Sequence, residues 1–425
     1  MGVFSLCLLT LLVYLHYQNV NNRTTHFSKI YFTALLIKFT LGVGVGLLYT
    51  FYYSGGDTFS LFNDGIILSK IAKTDFSAYL NFITSKAYRY PEVIMQQLTK
   101  SNASSTYFGI ILSFLALLTG ENYWISSLYI SFFAFTGIWK LISELYLIYP
   151  KSKYSLFLTF FLIPSFSFWS SGILKESLAI GCICWVIGYG FDIIRKGKIN
   201  FSSVIIPLFC LLILLKIKFY YFAGVITFLP LFYIAYIFNK NNYPYKSRYI
   251  FILMFLIVSL INILPQIHYH LDFNRLPNTI YLNYQKLYQA SDISNAIHFP
   301  NLKPTWTSII QSTPKALFTS FTYPSFASIN NIFTAIVCFE NYLLILCGLI
   351  SLTIFLKSKV YSKKPYLLWM LILVLLYCSI MIALITLSSP NLGSLNRYKI
   401  GASVFLFYLS FMQIEIFLRD KSLLK

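Results

Sequence analysis

Charge is what this sequence has least of, and acid is scarcer than base. Only 11% of its 425 residues are charged and only 13 are Asp or Glu, where an ordinary soluble domain carries roughly 25% charge. A surface so poor in charge excludes a soluble globular protein of this length. Histidine is rare as well, with five residues. The seven cysteines (Cys7, Cys182, Cys184, Cys210, Cys338, Cys347 and Cys378) all lie inside apolar runs, where they read as small buried hydrophobes. Cys182 and Cys184 point to different helix faces, so neither a disulfide nor a metal clip is expected of them. There is no paired CxxC, no Gly-rich nucleotide loop and no Ser, His and Asp set that assembles into a nucleophile and its base. His268 and His270, with Asp272 nearby, make a weak metal set that reads better as interfacial loop. No metal and no cofactor is called for.

What the sequence does have is apolar length. Hydrophobic residues make up 57% of it and aromatics 19%. The apolar runs fall at 2 to 18, 30 to 53, 106 to 118, 123 to 148, 155 to 170, 173 to 194, 201 to 217, 219 to 238, 249 to 267, 333 to 356, 366 to 388 and 399 to 418. Most have the length a helix needs to cross a bilayer, and barrel strands would be shorter and alternating. The expected fold is all-α: a single polytopic membrane domain over 1–425, with about 11 to 12 transmembrane or re-entrant helices. The first run has no basic leader and no small-residue cleavage site, so it reads as an anchor. The net charge of +20 is dispersed between the runs. That pattern fits anionic lipid headgroups and provides no stripe for nucleic acid.

Short basic loops at 23–29, 151–153, 195–198, 240–248, 357–364 and 419–425 mark the cytoplasmic side. They agree with one another if the chain crosses only once between Ser105 and Pro150, which makes 106 to 118 a short or re-entrant helix. The outer side then receives a first loop (54–105), Ser170 to Glu176, Lys216 to Tyr221, a second large loop (268–332) and Ser388 to Lys399. In the first loop Phe59, Phe62, Ile66, Ile67 and Ile71 have helical spacing, which predicts juxtamembrane helices. Pro277, Pro300, Pro304, Pro314 and Pro324 exclude one long helix from the second, which is expected to fold as a partly helical cap. The other charges are expected at helix ends rather than at mid-depth.

Polar residues on that outer face are the candidate site. Asp57 follows Gly55 and Gly56 at a helix exit, where a sharp turn can hold a carboxylate at the mouth of a bundle. Asp64 lies two turns on and is either a second carboxylate of the site or an interfacial acid. Asp75 reads as a helix cap. Ser170, Ser171, Gly172 and Lys175 at a helix start would suit an anion, with Glu176 either a participant or an ion-pair partner. Lys216 and Lys218 break the positive-inside pattern; they either snorkel beside aromatics or bind phosphate. Arg397, followed by Tyr398, carries the planar fork of donors that matches phosphate oxygens.

Gly55-Gly56-Asp57-Thr58 beyond an early apolar run, with interfacial helices after it, resembles the first outer loop of the C-type membrane glycosyltransferase superfamily. Asn396-Arg397-Tyr398-Lys399 before a final apolar run is similar to the Arg-Tyr motif of its bacterial polyprenyl-phosphate-sugar-dependent members. Where those members carry a proline shortly afterwards, this chain has Gly401 and Ala402. The resemblance implies that Asp57 is a catalytic base and that sugar is transferred, with inversion, from a polyprenyl-linked donor to a glycan, lipid or protein acceptor. It further implies a bacterial cytoplasmic membrane with the active face outward. Arg397 and Tyr398, with Lys175, Glu176, Lys216, Lys218 and Asp64, would then contact the lipid phosphate or sugar. A surface-polysaccharide polymerase or ligase, a transporter or flippase of lipid-linked saccharides, and a non-catalytic assembly subunit are the alternatives.

Overall fold

The computed structural model describes residues 1–22, 28–53, 56–84, 92–100, 102–240, 259, 263, 265–266, 269–291, 296–357 and 365–420. Gly55, most of the run expected at 249 to 267, His268, and the greater part of the basic loops at 23–29, 240–248, 357–364 and 419–425 lie outside them.

Helix dominates, and there is no strand among the described residues. In chain order the helices are α1 (Gly2–Asn21), α2 (Tyr31–Phe51), α3 (Asp57–Thr74), α4 (Phe76–Thr84), α5 (Glu92–Met95) and α6 (Ala103–Thr119). There follow α7 (Tyr123–Ile148), α8 (Lys153–Phe157), α9 (Pro164–Trp169), α10 (Lys175–Lys196), α11 (Phe201–Ile217) and α12 (Phe219–Lys240). The last six are α13 (Leu276–Gln289), α14 (Trp306–Thr322), α15 (Ile332–Lys357), α16 (Pro365–Ser388), α17 (Leu392–Tyr398) and α18 (Ile400–Asp420). Among the described residues seven segments are long and apolar enough to cross a membrane: Gly2–Asn21, Ser28–Phe51, Tyr123–Ile148, Lys175–Lys196, Ile332–Lys357, Leu371–Ser388 and Ile400–Asp420. The protein is a multi-pass, all-α membrane protein.

The chain forms two compact units. The first comprises Met1–Leu147, Ser167–Tyr189 and Val204–Lys218; the second comprises Ile148–Phe166, Gly190–Ser203 and Phe219–Lys425. In the first unit α3 and α6 run against each other. Gly65 makes this possible, since a Cβ there would come within 2.7 Å of the Leu112 side chain and 3.0 Å of its backbone. Leu61, Phe62, Phe108, Leu112, Ala116 and Tyr123 fill the seam. Asn102 starts α6 by accepting from Ser105 N–H at 2.9 Å, and Gly120, at φ 66°, ends it. At 17 residues α6 is about 25 Å long, short for a full crossing.

Two expectations are corrected. The run at 155 to 170 is not one helix: α8 passes into a π-helical turn at Leu158–Leu162, Ile163 is extended, and α9 begins at Pro164. Proline disfavours helical backbone at the residue before it, so the chain must break there. Nor are the charges confined to helix ends. Lys38 lies inside α2, Lys140 and Glu144 inside α7, and Glu340 inside α15, all buried. Each is satisfied within its own unit. Lys38 Nζ donates to Ser170 O and Ser170 Oγ at 2.7 Å each and approaches Ser167 O at 3.3 Å. Lys140 pairs with Glu144 at 2.9 Å, and Glu340 accepts from Ser165 N–H at 2.6 Å. Such partners offset part of the cost of taking each charge out of water.

In the second unit the expected helical pieces of the loop at 268–332 are α13 and α14. Pro277 occupies the first turn of α13, and Pro314 lies inside α14. Thr305 caps α14 by accepting from Ser308 N–H.

Candidate functional site

Asp57 is the first residue of α3. Gly56, at φ 123°, makes the turn that puts it there, a backbone conformation that residues with a Cβ rarely adopt. The carboxylate therefore stands at a helix N-terminus, where the aligned peptide dipoles favour negative charge. It is partly open to solvent, and its Oδ1 lies 3.2 Å from Lys100 Nζ. Next to it Thr58 is fully buried. Its hydroxyl donates to Ile173 O at 2.9 Å and accepts from the Tyr123 hydroxyl at 2.7 Å. The start of α3 is thus tied to the turn that leads into α10.

That turn delivers Lys175. Its Nζ donates to Ser104 Oγ and Ser105 Oγ, each at 2.8 Å, on the first turn of α6. One turn further along α6, Lys216 donates to the Tyr107 hydroxyl at 3.2 Å and stands 4.8 Å from the centre of its ring. With Lys100 three residues ahead of α6, lysines from three segments attach along the first two turns of this helix or just before it, and Asp57 pairs with the first of them. Asp57, Lys175 and Lys216 all belong to the first unit.

Other expected site residues have internal duties. Asp64 is buried and accepts from Thr99 N–H and Thr99 Oγ1 at 2.7 Å each and from Lys100 N–H at 3.2 Å. Its oxygens are spent on the chain, which makes it a positioning residue rather than a substrate contact. Glu176 and Lys218 form a buried ion pair at 2.7 Å. Lys218 is therefore neutralised by protein, and a substrate phosphate is not needed to explain it. The anion cradle expected at 170–172 is likewise closed: Ser170 receives Lys38, Ser171 Oγ donates to Ser167 O at 2.7 Å, and Gly172 N–H donates to Ser131 Oγ at 2.9 Å. All three residues are buried. Asp75 caps α4 as expected, accepting from Ala78 N–H at 2.9 Å.

Arg397 and Tyr398 belong to the second unit, at the end of α17. Arg397 is buried, with its guanidinium carbon 5.9 Å from the centre of the Tyr398 ring. The Tyr398 carbonyl accepts from the Tyr221 hydroxyl. A Cβ at Gly401 would fall 2.5 Å from the Tyr221 ring, so an aromatic ring packs directly on the backbone at this glycine. Lys399 donates to Ser320 O at 2.8 Å and Asn341 Oδ1 at 2.9 Å. Burial pulls its ammonium down to about 8, and the Glu340 carboxylate opposes the shift. Lys399, Glu340, Asn341, Asn396 and Ser165 line a cavity of about 10 Å³, room for one water and far too little for a sugar. Among the described residues no group of His, Cys, Asp and Glu is gathered to hold a metal.

Sequence reasoning missed Lys100, Tyr107 and Lys38. Lys38 had a signal, a lone cation inside an apolar run, while Lys100 had only its nearness to the Asn102 cap. No protein family, no curated protein and no solved structure matches the chain.

Proposed function

We propose that the protein is a membrane glycosyltransferase that moves a sugar from a polyprenyl phosphate or pyrophosphate donor to an acceptor hydroxyl, with Asp57 as the general base. This reading takes the outer face from the loop charges and the bacterial cytoplasmic membrane from the resemblance of the Gly55-Gly56-Asp57-Thr58 and Asn396-Arg397-Tyr398-Lys399 segments. The observation that carries it is a half-open carboxylate, Asp57, paired with Lys100 just ahead of α6, the helix whose first turns hold Lys175 and Lys216.

The chemistry requires that combination. As the acceptor oxygen attacks the anomeric carbon, Asp57 takes its proton, and the bond from that carbon to the phosphate oxygen breaks on the opposite face. Configuration inverts in this single displacement. The leaving phosphate keeps the electron pair and departs as a phosphomonoester dianion, whose conjugate acid has a pKa of about 6, so no second carboxylate is needed to protonate it. What it needs is positive charge, which Lys175 and Lys216 supply. A positioned base of this kind contributes roughly 10²- to 10⁴-fold in rate. Arg397 and Tyr398 have no part in this mechanism, which is written within the first unit. Membrane lipids surround the site, and the acceptor is a glycan, lipid or protein hydroxyl.

A transporter of lipid-linked saccharides is the second reading, favoured by the charges inside α2, α7 and α15. The internal partners of Lys38, Lys140 and Glu340 weigh against it, because each charge already has a structural use. Proteoliposomes loaded with a panel of radiolabelled polyprenyl-phosphate sugars and a membrane extract as acceptor distinguish the two. Transfer with release of polyprenyl phosphate is expected. Lys175→Met or Lys216→Met should raise the donor KM about tenfold, the loss of one charge-assisted hydrogen bond. Movement of intact donor across the bilayer without bond cleavage would establish the transporter instead.

A further inference from the structure

The ion pair between Asp57 and Lys100 is built from two differently held partners. Asp57 is fixed by the first turn of α3. Lys100 is anchored at its backbone, where Asp64 accepts from Lys100 N–H and from both donors of Thr99. The Thr99 hydroxyl also lies 3.1 Å from Ser60 O, which sets the same stretch against α3 a second time. Beyond that anchor the lysine side chain is a four-carbon tether that keeps 38% of its surface open to solvent, against 47% for Asp57. Four residues along the chain Ser104 begins the pair of hydroxyls that hold Lys175. The tether is thus rooted beside α3, which begins with the carboxylate, and four residues ahead of the hydroxyls that hold Lys175.

A carboxylate held by an ammonium group is a poor proton acceptor, because the neighbouring positive charge favours its ionised form. An exposed lysine and carboxylate pair is also weak, and a phosphate offers the same ammonium more charge and more acceptor oxygens. We propose that Lys100 is an exchange cation: it pairs with Asp57 in the resting protein and passes to the donor phosphate when the donor binds, with Asp64 as the positioning residue that roots it. The inference rests on Asp57 being the base of the proposed transfer. Its consequence is a coupling: seating the donor phosphate loosens the pair between Lys100 and Asp57, and the pair in turn opposes donor binding.

A double-mutant cycle on binding tests this without relying on turnover. The full chain in nanodiscs is titrated with a short-chain fluorescent polyprenyl phosphate, using wild type, Asp57→Asn, Lys100→Met and the double variant, each checked for monodispersity. Lys100→Met should weaken binding about tenfold, while Asp57→Asn should tighten it about tenfold where Lys100 is present and no more than about threefold where it is absent. Lys100→Arg should preserve the coupling. Equal effects of Asp57→Asn in the two backgrounds would overturn the exchange. Transfer assays on the same samples separate the two ideas. An Asp57→Asn variant that still transfers sugar removes the base assignment, and a coupled cycle in that variant would leave the Lys100 exchange standing as a binding device.

Discussion

A charge expected to break the positive-inside pattern needs either a partner or a ligand, and the two lysines flanking Ile217 divide between these needs. Lys218 has a partner in Glu176, and both are buried. Lys216 rests on the exposed side of Tyr107, where a ligand can reach it. The distinction is testable. Glu176→Ala leaves an ammonium buried without its counter-charge and should cost about 3–5 kcal/mol. Combining it with Lys218→Met should recover much of that loss, as read from thermal unfolding in detergent. Lys216→Met should leave stability within about 0.5 kcal/mol, as expected of a surface substitution. Asp64→Asn is the residue-scale companion. The amide keeps the volume but replaces an acceptor-only group, so the 99–100 stretch loosens and the donor KM rises more than kcat falls.

At the scale of elements, α3 and α6 carry the site, and their closeness depends on Gly65. Adding a methyl there drives it into Leu112, including backbone that cannot rotate away. Gly65→Ala should therefore cost about 1–3 kcal/mol by overpacking, and lower the melting temperature accordingly. The turn into α10 is built differently, from buried polar groups: Lys38 on Ser170, Ser131 on Gly172 and Thr58 on Ile173. Lys38→Met removes the donor for two buried acceptors on Ser170 and should misplace Lys175. A drop in donor affinity larger than the drop in stability would mark that misplacement; a purely packing role would lower stability alone.

For the whole molecule, much was legible because it is written locally. The start of α3 at Asp57, the Asp75 cap, the shortness of α6 and the helix-forming loops all follow from neighbours along the chain: glycine at a sharp turn, a cap before an apolar period, proline as a breaker. What was not legible depends on residues that meet only after folding. Glu176 and Lys218 stand 42 residues apart, Asp57 and Lys100 are 43 apart, and Lys38 reaches Ser170 across 132. Nothing in local spacing distinguishes a lysine that will find a carboxylate from one that will find a ligand. The same limit explains why the anion cradle at 170–172 was expected: its donors look free in sequence and are consumed in space. The orientation expected from the short basic loops is open to a labelling test. In a Cys7→Ser background, a cysteine placed at Lys216 should react with an impermeant maleimide from outside intact cells, and one at Lys153 only after permeabilisation.

The central claim is that Asp57 does chemistry, and one measurement addresses it most directly. Wild-type protein and Asp57→Asn, reconstituted in equal amounts with radiolabelled polyprenyl-phosphate sugar and acceptor extract, are compared for the rate of sugar transfer. The account predicts a fall of roughly 10²- to 10⁴-fold with folding intact and binding of polyprenyl phosphate retained or tightened. Transfer by Asp57→Asn at the wild-type rate would contradict it.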